Sequence, residues 1–348
     1  MERTLSRLGD GSVIQLTESE LRCDLEEGTK DAATAGKVDP LTEDELDHLF
    51  DIYSSPVRVT GVEPGREIVL SYDSPTLKVR RVGIDSGRIH ALQMYEKLLG
   101  ADTQELSHVD YSFKPVKPIV TYEQPILEQA LLVTTIPLFY GAMPNLGTYT
   151  RPDGPVANPA ELLPMGKIRE ARASHEETVE HAIKDMVFVA SALYESGADG
   201  INFDTTGAAG DPDFLAALRA CEILKQKYPQ MCIELGMAGE FVLGMHGELA
   251  YDGMRLAGLY PHEQVKLAAK AGVTIFGPVV KTNTSKSCPW NISRAITLMK
   301  ACGEVSEIPI HVNMGMGVGG IPVTDHPQID AVSKASRAMV ELVRLDGL

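Results

Sequence analysis

The stretch GADGINFDTTGAAGD, from Gly197 to Asp211, holds a complete joint between two kinds of structure. Before it, Val179, Ile183, Val187 and Ala190 recur on one face of a predicted helix. Gly197 sits where that helix must turn back into a strand, a position that favours glycine because the backbone there often needs a positive φ. The short apolar run GINFD (Gly200 to Asp204) reads as the strand. A polar, glycine-rich loop follows, and then a new helical face of Phe214, Leu218 and Cys221.

The same joint recurs outward along the chain. IPLFYG (Ile136 to Gly141), CIELG (Cys232 to Gly236), TIFGP (Thr274 to Pro278) and IPIHVNM (Ile308 to Met314) each read as a strand buried on both faces. Ile292, Ala295, Ile296 and Met299 form another helical face, and Ile329, Val332, Met339 and Val343 a last one. Gly272 and Gly303 close helices as Gly197 does. KPIVTYE, around Ile119, is a candidate sixth strand. Strands alternating with helices in this way predict βαβ units around a parallel sheet, and the fold expected is α/β, a (β/α)8 barrel of TIM type. Five or six strands are fewer than eight. The ending RLDGL offers one more helix-closing glycine, Gly347, so a further strand is expected after it and the barrel is expected to be incomplete at its C-terminus. An open, doubly wound sheet is the alternative. Against it, no G-x-G-x-x-G follows an early strand, and polar residues gather after every strand.

The first hundred residues differ. They are dense in charge, carry capping-box signatures at Thr17 to Glu20 and Thr42 to Glu45, and are punctuated by Pro64, Gly65 and Pro75. REIVLSYD (Arg66 to Asp73) reads as an edge strand of a hairpin. The division expected is an N-terminal helical and hairpin extension over residues 1–115 and the barrel over 116–348.

A chain of 348 residues with 44% hydrophobic content can bury a core larger than one barrel needs. The formal charge of -16 offers no basic excess to neutralise a phosphate backbone, so no nucleic-acid partner is expected. It suits a cationic substrate, or simply an acidic solvated surface. No signal-peptide pattern opens the sequence and no run is long enough to span a bilayer, so a cytoplasmic protein without a membrane partner is expected. Cys23, Cys221, Cys232, Cys288 and Cys302 are odd in number and scattered, and read as reduced, mostly buried thiols.

In a β/α barrel, function gathers at the C-terminal ends of the strands. Asp204, Glu234 and Glu240 are the carboxylates best placed there for acid/base work, since a carboxyl shielded from water beside another would exchange protons with an amine. A capping role, or pairing with a lysine such as Lys281, is the alternative. Asn145, Thr205, His246, Asn283, His311 and Asn313 are expected to face a substrate or partner. Gly315 and Gly317, in GMGVGG, could cradle a phosphate or let the backbone pack against a broad, flat partner. Met237, Met245, Met314 and Met316 suit adaptable packing or a macrocycle. His246, His262 and His311 match no zinc spacing, so no metal site is expected.

HVDYSFKPVKP (His108 to Pro118), IPLFYGAMPNLG, GADGINFDTTGAAGD, GMAGEFVLGMHGELAYDG, FGPVVKTNTSKSCPWN and HVNMGMGVGGIPV together resemble the dimethylamine:corrinoid methyltransferases of methylotrophic methanogens. The likeness runs in order from about Ala101 to Leu348 and is looser before it. The resemblance implies transfer of one methyl group from dimethylamine to the Co(I) centre of a cognate corrinoid protein, in methanogenesis from methylamines, by a homo-oligomer. It implies no tightly bound cofactor, the corrinoid coming with the partner. In that family the catalytic residue is pyrrolysine, inserted at an in-frame UAG codon shortly after the segment matching VRLDGL, and it is expected just beyond Leu348. Its ring imine would hold the amine nitrogen, with Asp204, Glu234 and Glu240 managing protons and His311 and Asn313 donating hydrogen bonds. Two alternatives follow: a catalytically inactive product that keeps only corrinoid-protein binding, and a zinc-dependent corrinoid methyltransferase acting on methanol or a thiol.

Overall fold

A computed structural model describes residues 3–62, 68–73, 89–90, 92–94, 96–97, 100–110, 116–244 and 248–348, with only the backbone of 107–110. His246 and Met245 lie outside the described residues. The elements begin with β1 (Thr4–Arg7), β2 (Val13–Leu16), α1 (Glu18–Gly36), α2 (Glu43–Ser54), β3 (Ser71–Asp73), β4 (Thr103–Asp110), α3 (Val116–Val133) and β5 (Leu138–Met143). They continue with α4 (Ile168–Glu195), β6 (Gly200–Thr206), α5 (Asp211–Lys227), β7 (Cys232–Met237), α6 (Pro261–Lys270), β8 (Ile275–Gly277), α7 (Cys288–Val305) and α8 (Ile329–Leu342). Two compact units result: Leu70–Leu259 with Leu267–Phe276, and Met1–Val69 with Tyr260–Lys266 and Gly277–Leu348.

The first unit is built on a sheet whose strands lie in the order β8-β7-β6-β5-β4-β3. The pairings from β3 through β7 are all parallel. The spatial order is the chain order and never reverses. A doubly wound sheet must reverse at its switch point, whereas successive neighbours are the rule of a β/α barrel, so the fold class is α/β of the TIM-barrel kind.

Alternation along the strands sorts the two faces. Leu138, Tyr140, Ala142, Ile201, Phe203, Ile233 and Leu235 are fully buried. Helices α4 and α5 pack on each other and on β6 at that level. The opposite face, with Asn202, Asp204, Cys232 and Glu234, is polar and β7 alternates half-buried with buried. β7 is therefore closed on one face only, whereas β5 from Leu138 to Ala142 and β6 from Gly200 to Phe203 are buried on both faces, as their short apolar runs suggest.

The second unit is mainly helical. Both capping boxes form, at Thr17 with Glu20 and at Thr42 with Glu45. Helix α1 lies along α7, so close at Gly28 that a Cβ would stand 2.3 Å from the Trp290 carbonyl oxygen. Buried polar bonds fix this contact, Thr29 Oγ1 with Thr297 Oγ1 at 2.8 Å and Ser293 Oγ to the Leu25 oxygen at 2.6 Å. All five cysteines are free thiols, Cys23 exposed and Cys221, Cys288 and Cys302 buried.

Several expectations change. KPIVTYE is the start of α3, whose buried Val116, Val120, Glu123, Ile126, Leu127 and Ala130 follow a helical period. Of the hairpin strand expected at Arg66 to Asp73, Arg66 and Glu67 lie outside the described residues, and Ser71–Asp73 is β3 of the parallel sheet, beside β4. Strand β4, TQELSHVD, is polar enough to have escaped the pattern, and it precedes residue 116 yet pairs with β5. Gly303 lies inside α7, where the Arg344 carbonyl oxygen would stand 2.9 Å from a Cβ, so close approach and not a turn explains it. Gly347 closes no helix either. Helix α8 ends at Leu342, and Gly347 makes isolated parallel bridges with both His311 and Val69. Ile329 is 67% exposed, and α8 buries Ala331, Lys334, Ala335, Ala338 and Met339 instead.

Candidate active site

On the sheet's polar face, register aligns Asp73 with Glu105, and Asn202 with Glu234. Three carboxylates and an amide, on β3, β4, β6 and β7, thereby gather on one face around β5. Gly141, aligned with Asn202, contributes no side chain to separate them, and Asn202 Nδ2 donates to Glu105 Oε2 at 2.9 Å. Burial pushes the Glu105 carboxyl well above the usual carboxylate range, and the charges of Asp73, Asp204 and Glu234 push it the same way. The Asn202 amide pulls it partly back. Asn202 Oδ1 is buried with no hydrogen-bond partner among the described residues.

Two of the four strands that carry the cluster are bulged beside it. β4 carries one extra residue between Glu105 and His108, and β6 one between Phe203 and Thr206. Bulges re-aim side chains and terminate pairing. In β6 the distortion centres on Thr205, whose φ of 52° puts a β-branched residue in the left-handed region. Asp204 Oδ1 accepts the Thr205 N–H at 2.7 Å, and Thr205 Oγ1 is buried without a partner among the described residues. Gly236 makes room for this arrangement, since a Cβ there would stand 2.9 Å from Asp204 Oδ1. The next turn is held from within by Asp213, whose Oδ2 accepts the N–H groups of Gly207 at 3.0 Å and Ala209 at 3.4 Å. Burial pushes the Asp213 carboxyl up to about 7, against the pull of those N–H groups.

Of the residues singled out in the sequence, Asp204, Glu234 and Thr205 belong to this cluster. Glu240 sits in the loop past β7, and the charges acting most on Glu105 do not include it. Asn145 is exposed and caps the turn Leu146–Tyr149 after β5, accepting from Gly147 N–H at 3.0 Å. Sequence reasoning missed Glu105, Asn202 and Asp213. The period-two alternation of Asn202 with Asp204 was the available signal for the second.

The second unit gathers the rest. Lys281 pairs with Val318, and Thr282 N–H donates to the Gly317 oxygen at 2.7 Å, zipping the loop of Asn283 to that of Gly315 and Gly317. A Cβ at Gly317 would meet Asn283 Oδ1 at 2.9 Å, and one at Gly315 would meet Asn313 Oδ1 at 2.6 Å. The N–H groups of Gly317, Val318, Gly319 and Gly320 all donate within the chain, to Pro322, Gly315, Val280 and Thr282. Those four N–H groups are thereby satisfied within the chain, and Gly315 and Gly317 pack closely against Asn313 and Asn283. His311 lies beside Gly347.

Among the described residues no helix is long and apolar enough to cross a membrane. The sequence model of a family described as dimethylamine methyltransferase matches residues 3–348. Among solved structures, the homocysteine methyltransferase MmuM of Escherichia coli is similar at 14% identity and TM-score 0.44, covering 81% of this chain and 91% of that one. The carboxyl transferase domain of Rhizobium etli pyruvate carboxylase is similar at 14% identity and TM-score 0.41, covering 90% and 44%. At these scores neither likeness carries a functional statement.

Proposed function

Since the chain belongs to the dimethylamine methyltransferase family, we propose that it moves one methyl group from dimethylamine to the Co(I) corrinoid of a cognate corrinoid protein, in the cytoplasm, during methanogenesis from methylamines. The observation that carries this reading is the group of Glu105, Asp204, Glu234 and Asp73 on one face of one sheet. Four carboxyl groups crowded together favour a small cation, and dimethylamine is a cation near neutral pH.

Departure of a methyl cation from dimethylammonium leaves neutral monomethylamine, so the nitrogen is the better leaving group while it keeps its proton. Asp204 and Glu234 would hold the charged nitrogen. Glu105, carrying a proton more readily than an ordinary carboxyl, would exchange it with the amine as the charge comes and goes. Asn202 orients Glu105 through its amide. The corrinoid, brought by the partner, would supply the nucleophilic metal that takes the methyl group. The glycine-rich loops around Gly315 and Gly317 suit a broad, flat surface of that kind, and a homo-oligomer is part of the same proposal.

The test uses protein made from its gene in its own host, mixed with the corrinoid protein reduced to Co(I). Dimethylamine should convert the Co(I) spectrum to that of methyl-Co(III), with one monomethylamine released per methyl group transferred. An unchanged cobalt spectrum with dimethylamine present would refute the reading.

A further inference from the structure

The mainly helical unit contains a cavity of about 420 Å³, bordered by β1, the end of α2 with the loop after it, and the start of α8. Its volume lies within the range of small-molecule sites. Four cations line it, Arg3, Arg7, Arg58 and Lys334, against the carboxylates of Glu18 and Asp330. A local positive excess is notable in a chain with a formal charge of -16.

The cations are not used up by their neighbours. Arg7 spends Nε on both Asp330 oxygens at 3.0 Å and Nη1 on the Gly11 carbonyl at 3.2 Å, leaving Nη2 with a donor to give. Lys334 is 8% exposed and is met by carbonyl oxygens, not a carboxylate, donating to Tyr53 at 3.2 Å and Ser55 at 2.9 Å. Arg3 and Arg58 are exposed and form no ion pair among the described residues. Tyr53, also bordering the cavity, is 4% exposed, and its buried hydroxyl has no hydrogen-bond partner among the described residues. Leaving such a group unmatched is costly. Leu5, Phe50 and Pro56 add an apolar wall.

We infer that this cavity is a binding site for a small molecule bearing a phosphate or carboxylate group and an apolar portion, separate from the acidic cluster of the sheet unit. The guanidinium groups of Arg3, Arg7 and Arg58 recognise the anion, an arrangement for which Arg is well suited. Lys334 keeps the field positive, and the ring of Tyr53 with Leu5, Phe50 and Pro56 takes the remainder.

The experiment is equilibrium dialysis of the whole chain against pyrophosphate, inorganic phosphate and citrate at constant ionic strength. Saturable binding of one anion per chain is expected for at least one probe. The double variant Arg3→Ser, Arg58→Ser should weaken it at least tenfold, and the equally charge-reducing Arg255→Ser, Lys266→Ser should leave it unchanged. Preference for the phosphates or for citrate assigns the head group, and either supports the site. No saturable binding by any probe at millimolar concentration, or equal weakening in both double variants, overturns it. Both pairs are exposed, so unchanged thermal unfolding verifies that the variants fold.

Discussion

Replacing Asp213 by Asn should move the balance of stability toward the variant as pH rises. Asp213 is fully buried at the start of α5, and its carboxyl is pushed up to about 7 from an ordinary 3.8. The folded chain holds that proton up to about pH 7, whereas the unfolded chain releases it near 3.8. The group's stabilising contribution is therefore fully present below the lower value, declines between the two and is gone above the higher. The interval, at about 1.36 kcal/mol per pH unit, amounts to about 4 kcal/mol. Asn has no proton to lose but keeps an acceptor for the N–H groups of Gly207 and Ala209, so it imitates the protonated side chain at every pH. Urea midpoints at pH 5, 6, 7 and 8, compared at a common slope, read the difference. The balance should move toward the variant by about 2 to 3 kcal/mol between pH 5 and 7 and then level off. A difference constant to within about 0.5 kcal/mol across the whole range would refute the assignment of a buried, proton-holding carboxyl.

Glu105→Gln removes the proton exchange and should slow methyl transfer by about 10² to 10⁴, while thermal unfolding at neutral pH shows no loss, because an amide need not be charged in that crowd. Gly236→Ala places a methyl 2.9 Å from Asp204 Oδ1 and should lower the transfer rate about tenfold or more by displacing that carboxylate, at a stability cost of about 1 to 3 kcal/mol in urea unfolding. Thr205→Gly relieves a left-handed backbone worth about 1 to 2 kcal/mol, less the greater freedom glycine has when unfolded, so a net gain of about 0.5 to 1 kcal/mol should accompany a slower reaction.

The joint at Gly197 to Asp211 was legible because apolar period, helix-closing glycine and polar loop all agree there, and Gly197 does take a φ of 110°. The same agreement located β5, β7 and β8, but the strand it predicts at IPIHVNM (Ile308 to Met314) is absent among the described residues, the segment making only an isolated parallel bridge between His311 and Gly347. Strand β4 was hidden because TQELSHVD spends its alternate positions on polar residues, the very feature that makes it useful. Its neighbour β3 is three residues long and borrows its identity from β4, which no local pattern reveals. For the site, Asp204 and Glu234 announced themselves as charges inside apolar runs. Asp213 did not, since an acidic residue in the first turn of a helix is ordinary on a surface. Only burial separates the two cases.

The sheet's acidic face has no explanation in stability. Glu105 is driven toward its neutral form by burial and by three other carboxylates, Thr205 is held in a conformation its side chain disfavours, and Asn202 keeps a buried oxygen without a partner among the described residues. Each of these costs free energy, and hydrophobic residues at the same alternate positions would remove all three at once. The strand register makes the crowding unavoidable once these side chains are present, because β3 sets Asp73 beside Glu105 and β7 sets Glu234 beside Asn202. A fold that chose sequence for stability alone would not place them there. Unfavourable choices that converge on one face of the sheet, while the other face of β5, β6 and β7 is apolar at Leu138, Tyr140, Ala142, Ile201, Phe203, Ile233 and Leu235, locate the chemistry more firmly than any one of the residues does.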